Sequence, residues 1–393
     1  MTHHTLSQSA HRVAAGLAAG LVILAAACST TATASDSTIP ASVSAPPSTA
    51  PPPTTTVVEE ARRSMLLGIL KSHHEAGDFV GGRMALRDAD GKITTAVFGT
   101  PTLDPSSGPV DLDTPWNVGS ITKTFVAVVV VQLADEGRID LDAGIAQYFP
   151  TLKDADRITP RELLQHTSGL NDYSYQPPVL SDAHRHWTAD EMLAVAEAAG
   201  RVGEPGGAFH YSNTNYIVLG EIIEKVTGHP WDQEVRTRIT EPLGMDHTDL
   251  ITGQLASPAF APSNGAFVDA SNAQDPSLGG AAGAIESNTS DLMRYITALE
   301  DGTLLSPESQ QAMRAFIPGE DYSQFGVTHR YGLGFEEYAT DAVTVQGHMG
   351  TGAQEAFIGY DPAHGSAVVV MLNVDNPGPQ ALMAIEALTA AKS

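Results

Sequence analysis

The stretch "NVGSITKTFVAVVVVQLADEGRIDL", residues 117 to 141, combines a serine, a nearby lysine and a long apolar run. Lys123 is one of only six lysines in the 393 residues. Ser120 lies three positions before it, so on a helix the two side chains share a face. The residues after Thr124 are almost all apolar, which predicts a helix buried in the middle of the protein.

Ser120 and Lys123 admit two interpretations. In the first, the serine caps a helix and the lysine is an unrelated charge. In the second, the serine oxygen is a nucleophile close to the unpaired N–H groups at a helix N-terminus. A lysine desolvated at the top of a buried helix has a lowered pKa and can serve as the base. The spacing alone is a weak signal, so the rest of the chain has to decide.

The charge of the chain limits its partners. Lys and Arg together number 21 against 46 Asp and Glu, which gives a net charge of −25. Nucleic acids and polybasic membrane contacts both require an excess of basic residues, so neither partner is expected. A chain of this length can bury one large core or two smaller ones. Nothing in it suggests a coiled coil, and a monomer is the default expectation.

The N-terminus predicts export. Residues 13 to 27 form an apolar run after Arg12 that is too short to span a bilayer but suits a signal peptide. The run ends in "LAAAC", which resembles the lipobox of bacterial lipoproteins, although Ala25 stands where leucine is commonest. We therefore expect a signal peptide over residues 1–27 and lipidation of Cys28, which would anchor the chain to the outer side of the cell membrane. The alternative is an unpaired thiol beside an ordinary cleavage site.

The next segment predicts a tether. Residues 29 to 56 are Ser, Thr, Ala and Pro almost throughout. They offer no apolar face whose burial could offset the entropy cost of ordering the chain. We expect residues 28–57 to form a lipid-anchored, Ser/Thr/Pro-rich linker and residues 58–393 to form the folded domain.

The sequence patterns of the folded domain predict an α+β fold. Helical spacing over 58–78 and a hairpin pattern over 79–100 open it. A helical insert is expected from about 140 to 285. Strand patterns return between 331 and 374, and a helix closes the chain. A helix and strands at each end of the domain predict one antiparallel sheet built from both termini and flanked by N- and C-terminal helices. A helical subdomain would be inserted between the two halves of the sheet.

Two further segments carry candidate functional residues. In "HYSNTNY", Tyr211 and Asn213 lie in a loop just before a helix pattern, where a helix cap with a packed aromatic ring is the simpler explanation. In "TVQGHMGTGAQ", His348 and Gly350 follow a strand pattern, and a lone histidine there could be structural. A glycine within a strand also suggests close approach of another chain or a ligand.

Taken together, these segments resemble a known family. "SITK" (120–123), "YSN" (211–213) and "HMG" (348–350) resemble the three motifs of the penicillin-recognising serine hydrolases, which include class C β-lactamases, DD-carboxypeptidases and esterases. Intervening segments such as "ITPRELLQHTSGL" and "EPLGMDHT" are similar as well. The resemblance covers about residues 65 to 390 and implies the serine β-lactamase/DD-peptidase-like fold.

The resemblance implies acyl transfer in two steps. Ser120 would attack a carbonyl while Lys123 takes its proton. Tyr211 would pass a proton to the leaving group. Asn213 would hold Lys123 and a substrate amide. Water would then release the acyl group.

The third motif would complete the site. His348 and Gly350 belong to it, and the oxyanion would bind the backbone N–H groups of Ser120 and of Thr351, the residue that follows the motif. Such donors lower the barrier by about 3–4 kcal/mol each. No metal or cofactor is expected, because neither His73-His74 nor the pair His184 and His186 has a convincing ligand set.

The chain also departs from the family pattern. Met349 replaces the Thr or Ser that helps to bind a substrate carboxylate. Related carboxypeptidases bring an arginine to that carboxylate, but the corresponding segment "YGLGFEEY" contains Glu336 and Glu337 instead. Two acids there would repel a carboxylate, and Arg330 is the candidate to compensate for them.

The reaction type is therefore clearer than the substrate. One candidate is a D-Ala-D-Ala-type peptide of the cell envelope, which fits the expected location. Another is an ester or amide without a terminal carboxylate, which fits the missing hydroxyl and arginine. β-Lactam hydrolysis is a third candidate and the least favoured. A binder of penicillin or envelope peptides that never turns over is the alternative of another class, and the intact motifs argue against it.

Overall fold

The computed structural model describes residues 55–392, with side chains from residue 57. The expected signal peptide, Cys28 and nearly all of the linker lie outside this range and stay predictions. Within the described part of the chain, no helix combines the length and apolar character needed to cross a membrane.

Helices and strands alternate along the described chain. The helices are α1 (Thr55–Ala76), α2 (Thr122–Asp135), α3 (Pro160–Leu164), α4 (Pro177–Ser181), α5 (Ala189–Ala199), α6 (Asn213–Thr227), α7 (Trp231–Val235), α8 (Glu241–Leu243), α9 (Gly280–Gly283), α10 (Thr289–Asp301), α11 (Pro307–Met313) and α12 (Pro379–Ala390). The strands are β1 (Gly81–Arg87), β2 (Ile93–Gly99), β3 (Trp116–Asn117), β4 (Asp249–Leu250), β5 (Phe260–Ser263), β6 (Ala266–Asp269), β7 (Ile285–Ser287), β8 (Ile317–Pro318), β9 (Thr328–Tyr331), β10 (Glu336–Ala339), β11 (Thr344–Gly350), β12 (Glu355–Asp361) and β13 (Ser366–Leu372).

The main sheet has eight antiparallel strands in the order β2-β1-β13-β12-β11-β10-β9-β8. The pairing of β1 with β13, for example Met84 opposite Val370, joins the two ends of the chain and confirms the predicted sheet. Side chains alternate between the two faces of a strand. Val368 and Val370 accordingly pack with α1 and α12, whereas Val369 and Met371 pack against the helical block.

Helix α2 runs through the middle of the helical block. Its residues from Thr122 to Val131 are all buried, which confirms the expectation drawn from the apolar run. It packs against α6 and α9, and the ring of Phe125 stacks on Tyr295 with 3.9 Å between the centroids. Burial of β-branched and aromatic side chains on every side of α2 fixes the position of the residues at its N-terminus.

Two local expectations differ from the structure. The segment expected to be helix and loop, about 140–285, also contains the strands β4, β5 and β6. The "YGLGFEEY" segment is not one strand, because a turn separates β9 from β10. Gly334 in this turn has φ +68°, and an added Cβ would lie 2.5 Å from the Cβ of Ala127, so the turn packs directly on α2. A continuous strand would clash there.

Candidate active site

Ser120 lies in a tight turn, Gly119–Ile121, immediately before α2. Gly119 has φ +51°, and an added Cβ would lie 2.5 Å from the carbonyl oxygen of Thr351. Only glycine fits both this conformation and this contact. The close approach holds the end of β11, and with it the backbone of Thr351, beside the serine.

Asn117, three residues before the serine, anchors the turn. Its backbone N–H donates to Oε1 of Gln354 at 2.6 Å, and its Nδ2 donates to the carbonyl oxygens of Gly283 and Ile285 at 2.9 and 3.1 Å. These buried bonds tie β3 to the chain after β11 and to α9. The serine is thereby positioned by three separate elements.

The ammonium group of Lys123 has three oxygen partners. Its Nζ donates to Oγ of Ser120 at 2.9 Å, to Oδ1 of Asn213 at 2.8 Å and to the carbonyl oxygen of Ala282 at 2.8 Å. The side chain is fully buried. Burial lowers the pKa of Lys123 to about 7, although the charges of Asp172 and Glu336 oppose this shift. A substantial share of the amine is therefore unprotonated near neutral pH and able to accept the serine proton.

Tyr211 completes the group of three expected to do the chemistry. Its hydroxyl is hydrogen-bonded to the side chain of Ser120, and its ring centroid lies 5.0 Å from Nζ of Lys123. Burial, reinforced by the charge of Glu336, raises the pKa of Tyr211 well above its usual range. The phenol therefore stays protonated at rest, which suits a proton donor and leaves Lys123 as the base.

The orientation of Asn213 depends on Asp172, a residue that the sequence had not singled out. Both the backbone N–H and Nδ2 of Asn213 donate to Oδ2 of Asp172, at 2.9 and 3.0 Å. Oδ1 of the same carboxylate accepts bonds from Ser174. Because a carboxylate only accepts, Nδ2 must face Asp172 and Oδ1 must face Lys123. The only available signal was an acid following "HTSGL".

His348 lies on β11 and contacts Tyr331, a second residue missed from sequence. Nδ1 of His348 is 2.7 Å from the carbonyl oxygen of Met349, so this nitrogen carries the proton. Its Nε2 is then an acceptor and receives the hydroxyl of Tyr331 at 3.0 Å. Burial, with a further contribution from Lys123, lowers the pKa of His348, so the ring is neutral at pH 7.

The chain of hydrogen bonds continues to His166 in the helical block. Nδ1 of His166 accepts from the backbone N–H of Ser212 at 3.2 Å and from Nδ2 of Asn215 at 2.9 Å. Its proton is therefore on Nε2, which donates to the hydroxyl of Tyr331 at 3.2 Å. The His166 ring also stacks on Tyr211, with centroids 4.2 Å apart. A buried path of hydrogen bonds thus joins the Tyr211 loop to β11.

The two adjacent glutamates of β10 have different surroundings. Glu337 pairs with Arg330 and accepts from Nε2 of Gln346 at 2.8 Å. Arg330, the candidate to replace the missing arginine, is therefore already paired. Glu336 accepts from the backbone N–H of Met349 at 2.9 Å, next to the third motif.

No metal centre is indicated in the described range. Residues 55–392 contain no group of three or more histidine, cysteine or acidic side chains arranged to hold an ion. His73 instead contacts Asp78, with Nδ1 2.6 Å from Oδ2, and Glu386. The expected site residues that do lie together are Ser120, Lys123, Tyr211, Asn213, His348, Gly350 and Thr351.

Comparisons with known proteins show the family of the chain. The sequence pattern of the Beta-lactamase family matches residues 68–392. Penicillin-binding protein 4 of Amycolatopsis lactamdurans is 29% identical over 289 residues, which cover 67% of this chain and 73% of that protein. Other curated relatives are matched over about half of their own length or less.

Two solved structures are similar over most of the chain. A D-stereospecific amidohydrolase from Streptomyces sp. is 30% identical, with a TM-score of 0.72 and coverage of 83% of this chain and 98% of that one. The D-amino acid amidase of Ochrobactrum anthropi SV3, complexed with L-phenylalanine amide, is 27% identical, with a TM-score of 0.76 and coverage of 85% and 100%.

Proposed function

The chain belongs to the Beta-lactamase family and is a serine hydrolase of that fold, and we propose that it cleaves an amide or ester bond through an acyl-enzyme on Ser120. One observation carries the proposal. The buried amine of Lys123, with its pKa lowered to about 7, lies 2.9 Å from Oγ of Ser120. A nucleophile with a desolvated base in direct contact is the arrangement that this chemistry requires.

In the first step, unprotonated Lys123 accepts the proton of the Ser120 hydroxyl as Oγ attacks the substrate carbonyl. The developing oxyanion is stabilised by the backbone N–H groups of Ser120 and Thr351. The carbon–nitrogen or carbon–oxygen bond then breaks, and Tyr211 gives its proton to the leaving group. The Lys123 ammonium restores the proton of Tyr211, so the serine proton ends on the leaving group.

In the second step, water attacks the acyl-enzyme. Lys123, again unprotonated, removes the proton of the water with Tyr211 as the relay. Oγ of Ser120 leaves and takes that proton back. The products are a carboxylic acid and the free enzyme, and neither step needs an additional reactant.

The substrate is proposed from the neighbouring structures and a curated relative. Two solved neighbours are named for hydrolysis of amides of D-configuration, and a curated relative is named for penicillin binding. These names support a D-amino acyl amide, with a D-Ala-D-Ala-type peptide or a simple ester as further candidates. β-Lactam hydrolysis and non-catalytic penicillin binding are the alternatives.

Variants of the nucleophile and the base test the proposal. The panel is a D-amino acid amide, a D-Ala-D-Ala peptide, nitrocefin and p-nitrophenyl acetate, assayed with the chain lacking residues 1–28. We expect Ser120→Ala and Lys123→Ala each to lower turnover roughly a thousandfold or more. Lys225→Ala, which removes an exposed lysine paired with Glu221, is the matched control. Wild-type rates in both site variants would refute the mechanism.

We also propose that the chain is exported and anchored through a lipid on Cys28. The support is the apolar run at 13–27 followed by "LAAAC" and a Pro-rich linker. Labelling cells with palmitate tests it, since the label should appear on the wild-type protein and disappear in Cys28→Ser. A label that survives this substitution would remove the anchor at Cys28.

A further inference from the structure

The third motif lies on the part of β11 that extends beyond the end of β10. β10 pairs with β11 only from Thr344 to Gly347, where Gly347 faces Glu336. Past that point the β10 side of β11 has no strand partner. The carboxylate of Glu336, the first residue of β10, covers this edge by accepting the backbone N–H of Met349 at 2.9 Å.

Backbone N–H groups two residues apart point to the same side of a strand and lie roughly 7 Å apart. β11 ends at Gly350. Along the direction of the strand, the backbone N–H of Thr351 is the next one after that of Met349 on this edge. The carboxylate of Glu336 is therefore one strand step from the expected oxyanion donor. Its negative charge opposes the lowering of the pKa of Lys123 by burial and adds to the raising of the pKa of Tyr211.

The groups around Glu336 are arranged to hold an ionised carboxylate. The hydroxyl of Tyr338 donates to Oε2 at 2.7 Å. Nδ1 of His329 accepts the backbone N–H of Glu320, so its Nε2 carries a proton, and that nitrogen lies 3.6 Å from Oε1. Burial alone would raise the pKa of Glu336, but the charge of a protonated His348, together with His329 and Tyr338, lowers it to about 2.

The charges at the site are therefore mainly negative at neutral pH. Glu336 and Asp172 are both buried acids, and burial keeps the rings of His166 and His348 neutral. Lys123 is the nearby cation, and at its pKa of about 7 it is only partly charged. Within residues 55–392 no lysine or arginine bonds to Glu336, since Arg330 pairs with Glu337.

We propose that Glu336 is a specificity-determining residue that excludes leaving groups bearing a carboxylate and so selects primary carboxamides, uncharged amides and esters. Tyr211 protonates the leaving group, and Glu336 holds its charge against the backbone of Met349 in the neighbouring motif, where that charge also acts on Tyr211. For a carboxamide, the C–N bond breaks, Tyr211 supplies the proton, ammonia leaves, and water later yields the acid. This inference rests on the proposed function and narrows its substrate class.

A matched pair of ligands tests it on the wild-type enzyme. N-acetyl-D-alanyl-D-alanine and its C-terminal carboxamide differ only in the charge on the leaving residue. We expect kcat/KM to be at least tenfold higher for the carboxamide. Where turnover is too slow, competitive inhibition of p-nitrophenyl acetate hydrolysis should show the same order. Equal values, or a preference for the acid, would overturn the proposal without any variant.

Two isosteric variants locate the effect. Glu336→Gln should raise kcat/KM for the acid about tenfold or more relative to the carboxamide, because glutamine still accepts from Met349 but carries no charge. Glu337→Gln, next in sequence and bonded to Arg330, should leave the ratio unchanged. An unchanged ratio in Glu336→Gln, or the same shift in Glu337→Gln, would refute the role of Glu336. If Glu336→Gln does not fold, the comparison of the acid and the carboxamide on the wild-type enzyme tests the proposal.

The activity of Ser120→Ala distinguishes failure of the proposed function from failure of the specificity inference. If Ser120→Ala retains turnover, the proposed function itself fails. If Ser120→Ala is inactive and the ratio does not move in Glu336→Gln, only the specificity inference fails.

Discussion

A single desolvated amine sets the chemistry at the residue scale. Lys123 is fully buried and satisfied by three oxygens, yet burial lowers its pKa to about 7. In the unfolded chain the same amine titrates near about 10.4. The folded state therefore binds fewer protons than the unfolded state between these two values. The contribution of Lys123 to stability must therefore rise with pH across this window, and that contribution is lowest below pH 7.

The protonation of Lys123 links the free energy of unfolding to pH. In wild type the free energy of unfolding should contain a contribution that rises by up to about 1.4 kcal/mol per pH unit between roughly pH 7 and 10. Lys123→Met removes the titrating group, so this contribution should be missing from its pH curve. Denaturant unfolding at pH 6, 8 and 9.5 measures it. Parallel pH curves for the two proteins would mean that Lys123 is not desolvated.

Asp172 acts on the same amine through Asn213. Asp172→Asn should let the side-chain amide of Asn213 flip by 180°, because the amide introduced at position 172 would offer a donor as well as an acceptor. It should also remove a charge that raises the pKa of Lys123. We expect kcat to fall by about tenfold or more and the rising limb of the pH–kcat/KM profile to move to lower pH. Asp190→Asn, at an exposed position in the first turn of α5, should change neither.

At the scale of elements, the site depends on where β11 meets the turn before α2. Gly119 and Thr351 are in backbone contact, and Tyr331 bridges β11 to the loop that carries Tyr211. These contacts set the separation between the proposed nucleophile, the proposed proton donor and the proposed oxyanion donor. Small shifts of either element should therefore change kcat more than KM.

Gly119→Ala tests the contact between the turn and the strand. The methyl group would lie 2.5 Å from the Thr351 carbonyl oxygen at a residue with φ +51°. We expect kcat to fall at least a hundredfold, with stability reduced by about 1–3 kcal/mol. Gly91→Ala is the matched control, because Gly91 has φ +81° but nothing within 4 Å of an added Cβ. Similar loss of activity in both variants would mean that backbone strain alone is responsible.

Tyr331→Phe tests the bridge with almost no change in volume. The phenyl ring would leave His166 without an acceptor and His348 without a donor. We expect kcat to drop several-fold while KM changes little. Nε2 of His348 should lose the hydrogen bond it accepts from Tyr331, and its ¹⁵N chemical shift should change, while Nδ1 stays bonded to the Met349 carbonyl oxygen. Tyr148→Phe, at a half-buried tyrosine outside this chain of bonds, should leave the shifts of His348 unchanged.

At the scale of the whole molecule, the two ends of the chain close the sheet. α1 and α12 pack together on one face, and β1 pairs with β13. Leu66 and Leu70 of α1 are fully buried there with Met84. The sheet that carries β11 is thus supported from behind by a helix from the far end of the chain. Folding is therefore expected to require the first helix even though it contributes nothing to the site.

Leu70→Ala tests this dependence. Removing a fully buried leucine side chain should lower the free energy of unfolding by about 2–5 kcal/mol. Leu180→Ala, at a leucine that is 61% exposed, should cost less than about 0.5 kcal/mol. Urea unfolding of the chain lacking residues 1–28 measures both. Equal, small losses would show that α1 is not part of the cooperative core.

The amino-acid sequence by itself determined the elements whose signals are local. The apolar run after Thr124 predicted a helix buried on all sides, and α2 is such a helix. A hairpin pattern near the start of the folded domain and short strand patterns near its end predicted one antiparallel sheet. The three motifs are each contiguous in the sequence, and their resemblance to those of the penicillin-recognising serine hydrolases implied the nucleophile, the base and the proton donor.

Only the tertiary structure decided how distant groups meet. Glu336 and Glu337 look equivalent in the sequence, yet one covers the edge of β11 and the other pairs with Arg330. Asp172 and Tyr331 gained their roles from hydrogen bonds to residues far along the chain. Such contacts depend on the packing of whole elements, and a local pattern of hydrophobicity or charge carries no record of which side chains that packing will bring together.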